Sequence, residues 1–341
     1  MDFTFTEEQE MMAGVTRDLL AEVSSTTDLR AMLGRGEGFD PARWSRLGEL
    51  GLTGLMVPES GGGLGLAEVD FVQIATACGY HLLPEPLVDL VGVVRPLLAE
   101  CGIETGEDEV IVWADRGQVA QADRAARLLV TAADGGLHLL VPTQADLVAQ
   151  PHIDPLLRLF TLSAPLDAST RIAPPDAPAT LLARERGALF AAAQLLGLAQ
   201  RAIDLAVAYA AERKQFGKPI GSYQAIKHHL ASAQVRVEFA RPVVHAAAGL
   251  PPGTGTFARA RVSHALLAAG EAADFAVRQS LQVHGAMGYS WEVDVQFCLK
   301  RALWLTHAWG SPAHHRDRVA TRAFGLPLGP DRLFPTENSH A

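Results

Sequence analysis

The chain has 341 residues, 48% of them hydrophobic and 20% charged, which is enough to build an ample buried core and unlike a disordered segment. Its net charge of −9 opposes a general nucleic-acid binder, because neutralising phosphates needs a basic face. Cys78, Cys101 and Cys298 are odd in number and widely spaced. They suit neither a disulfide framework nor a metal site and read as free thiols in a reducing compartment.

The opening MDFTFTEEQE is acidic and polar, unlike a signal peptide, and no apolar run reaches the roughly 18 residues of a membrane span. A cytoplasmic protein is expected, with neither membrane nor nucleic acid as partner. Residues 1–104 are expected to form a helical domain. Thr6 followed three residues later by Gln9 has capping-box spacing, and Asp40-Pro41 opens a helix that stops at Gly51. VPESGGGLGL must be a loop, after which AEVDFVQIATACGY resumes helical periodicity.

Residues 105–180 differ in kind and suggest a small β domain and linker. DEVIVWAD, ARLLVTAAD and GLHLLVPT are short apolar runs between Gly, Asp and Pro, the pattern of strands. RIAPPDAPAT, proline-rich, reads as the linker out.

Residues 181–341 return to helices. ALFAAAQLLGLAQRAIDLAVAYAAERKQF is apolar on more than one side and belongs at the centre of a bundle. Ser222 is placed to cap a second helix running through Leu250, with Pro242 kinking or dividing it. A third helix is expected from Phe257 to Val283, stopped by Gly285, a fourth over 292–308, and a fifth from Ser311. The fold class is α+β, mostly α: a helical domain, a reduced sheet, then a four-helix bundle.

Several motifs fail on inspection. Gly61 and Gly63 would need a third glycine where Leu66 stands, and no strand precedes them, so there is no dinucleotide loop. The pairs His228–His229 and His314–His315 are adjacent, and adjacent residues diverge around a helix, so no metal site is expected.

ERKQFGKPIGSYQ, residues 212–224, stands out at the end of the first bundle helix. Arg213 can be a helix-end cation suited to the macrodipole, or a bidentate phosphate ligand. Gln215 and Gln224 can hydrogen-bond a heterocycle or ribose, and Phe216 can stack on a ring. QVHGAMGYSWE, residues 282–292, offers Gln282 and the bare backbone of Gly285 and Gly288, either for a ligand or as a plain helix stop.

Both stretches resemble the two C-terminal signatures of acyl-CoA dehydrogenases. FTEEQ, LGELGLTGLMVPESGGGLGL and EVDFVQIATACGYHLLPEP resemble the same family's first helical domain. The resemblance spans most of the chain outside 105–180. It implies an oligomeric enzyme that binds FAD and oxidises an acyl-CoA at its α,β bond, with an electron-transfer flavoprotein as acceptor. It implies that Arg213, Gln215, Phe216 and Gln224 contact the pyrophosphate and adenosine side of FAD. Gln282 and Gly285 would contact the cofactor from a neighbouring subunit.

The sequence departs from the family where the chemistry lies. The α-proton must be taken by a carboxylate held in a dry pocket. One family position for it, nine residues past the arginine of the fourth helix, falls here on Gly310, counting from Arg301. The other, near the start of the first bundle helix, falls on Gly187. Glu185 lies two residues earlier, about 200° away around a regular helix. The TEPxxGSD-like loop that meets the flavin is also absent from 105–180, VPTQADLVAQ being the nearest polar stretch.

These losses resemble the short, base-less subunit of actinobacterial heteromeric α2β2 acyl-CoA dehydrogenases that shorten steroid side chains. On that resemblance the chain is expected to work with a second subunit that supplies the glutamate. The alternatives are a self-sufficient enzyme with an unorthodox base, Glu185 or a loop residue, and a scaffold or regulatory subunit that keeps only the fold.

Overall fold

The computed structural model describes residues 4–114, 117–143, 146–250 and 252–325. Helix α1 (Glu7–Val23) begins with the expected capping box: Gln9 N donates to Thr6 Oγ1 and Thr6 N donates to Gln9 Oε1. Ser25 and Asp28 close a second box on α2 (Thr26–Gly34). Asp40 caps α3 (Pro41–Glu49), and Gly51 follows in the left-handed region at φ 75°. The glycine-rich stretch is a loop with one 3₁₀ turn, and α4 (Glu68–Tyr80) comes next.

Helix α5 (Leu87–Asp89), a π-helical turn (Leu90–Val94) and α6 (Arg95–Glu100) follow one another without a break. Beneath them lies an ion pair whose side chains are 1% and 0% exposed: Arg43 donates from Nε and Nη2 to the two oxygens of Glu85, at 2.8 and 2.9 Å. Buried charges survive only in such fully satisfied geometry.

The middle region holds more strands than its apolar runs predict. Among the described residues β1 (Ile111–Ala114), β3 (Arg127–Thr131), β4 (Leu137–Leu140) and β7 (Arg171–Ala173) form one sheet in the order β1-β3-β4-β7. Only the β1/β3 pair is parallel. β2 (Gln118–Ala120), β5 (Leu147–Gln150) and β6 (Leu159–Leu162) form an antiparallel second sheet in the order β2-β6-β5. RIAPPDAPAT is therefore not purely a linker. Its first three residues pair with β4, and Pro178 is already the first residue of the next helix.

That helix, α7 (Pro178–Glu212), runs for 35 residues through the middle of the molecule, packed against α4 and three bundle helices. It is long and apolar enough to cross a membrane by length and composition, but most of its apolar stretch is buried inside the bundle. At its crossing with α4, a Cβ on Gly79 would run into the Gln194 backbone, and one on Gly197 into the Thr76 carbonyl. Glycine lets the two backbones touch there.

After α7 come β8 (Lys214–Gln215) and β9 (Lys218–Pro219), then α8 (Gln224–Ala248), α9 (Thr256–His284), α10 (Val295–Ala308) and α11 (Pro312–Gly325). Ser222 does not cap α8: its Oγ donates to Pro219 O, and the helix starts two residues later with no side-chain cap. Pro242 sits inside α8 without dividing it. Arg301 of α10 donates to Asp154 Oδ2 at 2.6 Å and to Leu83 O at 3.0 Å, tying the bundle to the sheet region and the first helical domain.

Candidate active-site cleft and cofactor hairpin

A cleft of about 760 Å³ opens where the first helical domain, the sheets and the bundle meet. Its inner walls come from the Leu83–Asp89 segment, β1, the loop around His152 and α10, and its mouth from the starts of α7, α9 and α11. Gly310 lines that mouth, and Gly187, far away in sequence, lies beneath the neighbouring Trp309. A Cβ on Gly187 would overlap the indole of Trp309, the residue just before Gly310. Gly310 itself is at φ 124°, and a Cβ there would lie 2.9 Å from His315 Nε2. The space a base would need is held by a tryptophan, which packs edge-on against Trp113 at 5.4 Å between centroids.

Three carboxylates line the cleft: Glu85, Asp89 and Glu185. Glu85 is consumed by Arg43. Glu185 is buried and accepts from Arg318 Nη2 at 2.5 Å, with Arg259 Nε at 3.6 Å. Burial pushes its carboxyl up and the Arg318 charge pulls it back. Both guanidiniums reach the same oxygen, Oε1, while Oε2 is buried without a partner, and burial outweighs the arginines to leave the carboxyl above its ordinary range. Asp89 has no hydrogen-bond partner among the described residues, and burial pushes it up to about 6 against the pull of Arg301.

The second cluster lies at the far end of α7. Arg213 N donates to Tyr209 O and ends the helix in extended backbone. β8 and β9 then form a tight hairpin whose two central residues, Phe216 and Gly217, are at φ 52° and 80°. A two-residue turn of this hand matches strand twist, yet positive φ strains a phenylalanine. The ring that this turn carries is 93% exposed. Arg213 is exposed and makes no ion pair among the described residues. Gln215 Nε2 donates only to the adjacent Lys214 O, and Gln224 is exposed as the first residue of α8.

The other signature reaches the same place. Tyr209 of α7 stacks on His284 of α9 at 4.4 Å, so Gln282 and Gly285 share the hairpin's end of the bundle. Both are exposed, and Gly285 ends α9 at φ 61°. All six residues expected to contact cofactor thus stand on one solvent-facing end. Among the described residues no cluster of His, Cys, Asp or Glu suits a metal ion.

The profile of the acyl-CoA dehydrogenase C-terminal domain matches residues 177–324, and that of the N-terminal domain matches residues 6–109. The chain belongs to the acyl-CoA dehydrogenase family. As a member it is an FAD-dependent oxidoreductase acting on acyl-CoA. This acyl-CoA dehydrogenase is 32% identical to Acyl-CoA dehydrogenase IpdE2 of Mycolicibacterium smegmatis, over 93% of this chain and 99% of that one. It is 31% identical to the protein of the same name in Mycobacterium tuberculosis, over 94% and 99%. The ChsE4-ChsE5 complex from Mycobacterium tuberculosis contains a chain of the same fold, with TM-score 0.79 and 23% identity over 96% of this chain and 100% of that one. The Tcur3481-Tcur3483 steroid ACAD contains another, with TM-score 0.74 and 22% identity over 94% and 98%.

Sequence reading missed the residues that shape this dehydrogenase's cleft: Trp309, Arg318, Asp89 and Gln194. The last two did leave a signal. Asp89 is the lone charge in PLVDLVGVV, and Gln194 the lone polar side chain in ALFAAAQLLGLA, each inside a run that is otherwise core.

Proposed function

We propose that this chain is one subunit of a heteromeric acyl-CoA dehydrogenase, in which an unlike partner supplies the catalytic carboxylate and this chain completes the partner's cofactor site. The observation that carries the proposal is the Gly187–Trp309 contact. Neither family base position holds a carboxylate, and an indole fills the room one would need. The names of the ChsE4-ChsE5 complex and the Tcur3481-Tcur3483 steroid ACAD pair two designations each, which agrees with a paired architecture. The word steroid in the second name also supports a steroid-derived acyl thioester as substrate class.

The hairpin fits the distal half of a dinucleotide by the chemistry of its donors. Arg213 presents an unpaired guanidinium for a pyrophosphate, the carboxamides of Gln215, Gln224 and Gln282 can bond ribose and adenine edges, and the Phe216 ring offers a face for stacking. Gly285 lets a ligand approach the main chain. When bound, FAD supplies the hydride acceptor for α,β oxidation, with an electron-transfer flavoprotein as onward acceptor by family analogy. Arg213, just past the end of α7, stands 26 residues from Gly187, about 39 Å at the rise of a regular helix. The hairpin therefore serves a neighbour's cleft rather than its own.

The self-sufficient reading depends on Glu185, which stands two residues before the family position at Gly187, about 200° away around a regular helix. The scaffold reading leaves Arg213 and the strained display of Phe216 without a role. The deciding experiment is the flavin-to-protein ratio of this chain purified alone and co-produced with a second acyl-CoA dehydrogenase subunit. Little flavin alone and a stable flavin complex with turnover together support the proposal. A full complement of flavin that bleaches with acyl-CoA in the chain alone would overturn it.

A further inference from the structure

The inner end of the cleft is built from polar side chains that the fold leaves unspent. Two contacts fix how α7 runs against the α5–α6 rod. Arg186 Nη1 reaches Glu100 Oε1 at 3.3 Å, and the Phe190 ring closes over Gly92, where a Cβ would meet it. The two segments are antiparallel, and Asp89 and Gln194 each lie about one turn beyond the Phe190–Gly92 contact. Both line the cleft.

Gln194 is only 9% exposed and its carboxamide has no hydrogen-bond partner among the described residues, nor is it sealed from the cleft. The Asp89 carboxylate is equally unpartnered. Arg301, close enough for its charge to act on Asp89, gives Nε to Asp154 and Nη1 to Leu83 O and keeps Nη2 without a partner. Around this trio the walls are apolar: Leu83, Val88, Val112, Leu157, Trp304 and Leu305.

A saturated alkyl end would expel water from Asp89 and Gln194 and return no hydrogen bond, an expensive exchange for buried polar groups. A second carboxylate would meet the negative charge of Asp89. A ketone would satisfy Gln194 and leave Asp89 unserved. A hydroxyl donates to Asp89 and accepts from Gln194 at once. We infer that this chain's own cleft is a binding site for an acyl thioester whose acyl group carries a hydroxyl at its inner end, seated between Asp89 and Gln194. The apolar walls hold the carbon skeleton, and the arginines at the mouth, Arg259 and Arg318 with Glu185 between them, face the anionic CoA end. With glycine at both family base positions, Gly187 and Gly310, this cleft holds its ligand without oxidising it.

The test is calorimetric titration of the full chain with ω-hydroxyacyl-CoA thioesters of graded length and with their unsubstituted counterparts. At the best length the hydroxylated ligand should bind about tenfold tighter or better, the usual return on a charge-assisted hydrogen bond. Gln194→Met and Asp89→Asn, each near-isosteric and checked for folding by thermal midpoint, should each erase most of that preference. Equal binding of the two series, or a preference that survives both substitutions, overturns the inference. So does failure of either series to bind. Those failures would leave the heteromer proposal standing, since its flavin test concerns the partner's cleft.

Discussion

The indole of Trp309 lies directly on Gly187, occupying the volume into which any side chain at that position would project. Gly187→Ala is therefore an overpacking change and should cost about 1–3 kcal/mol in urea unfolding. Adding Trp309→Ala should return part of that loss, because removing the ring opens the space. Strictly additive costs in the double-mutant cycle would show that the two residues do not compete.

Arg213→Ala should weaken FAD retention by the assembled enzyme about 10- to 100-fold, the loss of one charge-assisted phosphate contact. Because the side chain is exposed and unpaired, the thermal midpoint of the isolated chain should stay put. Unchanged flavin content on dilution would reduce Arg213 to a helix-end cation.

Glu185→Gln separates a base from a structural anion. The substitution leaves the largely buried Arg318 without its counter-charge, so stability should fall by about 1–3 kcal/mol. Turnover of the assembled enzyme, measured below the unfolding range, should remain within about twofold. Abolished turnover at full occupancy would make Glu185 the base.

Acid should destabilise this chain between about pH 6.5 and pH 4. Burial pulls His81, His245 and His315 down to about 4, below the ordinary histidine value of 6.5. Between those values the unfolded chain binds protons that the folded chain refuses, so stability falls as pH falls. Asp89 works the other way, since its raised value of about 6 means the folded state gains a proton first. Three groups outweigh one, and the urea midpoint should drop across this window. Asp89→Asn should raise the midpoint more at pH 8 than at pH 4. A flat profile would mean that these histidines are hydrated rather than buried.

The helices were legible because their signals are local and repeated: the Thr6 capping box, Asp40-Pro41, Gly285 after a long apolar period. The strands were only half legible. β2 and β7 span three residues each, too short for alternation to register, and their pairing partners lie far off in sequence. Ser222 looked like a cap but spends its hydroxyl on the preceding turn. In the site, the two glycines named the missing base by position alone. Nothing local shows that Trp309 would fold back over Gly187, because that contact joins residues 122 apart through tertiary packing.

Helix α7 carries the cleft mouth at one end and the hairpin at the other, and on the readings above these ends answer to different ligands. Alleles of this one gene would then fall into two classes that share a helix and not a phenotype. Changes near Arg213 would silence a centre housed in another polypeptide while leaving this chain's ligand bound. Changes near Gly187 or Gln194 would lose that ligand and leave the neighbour's flavin in place.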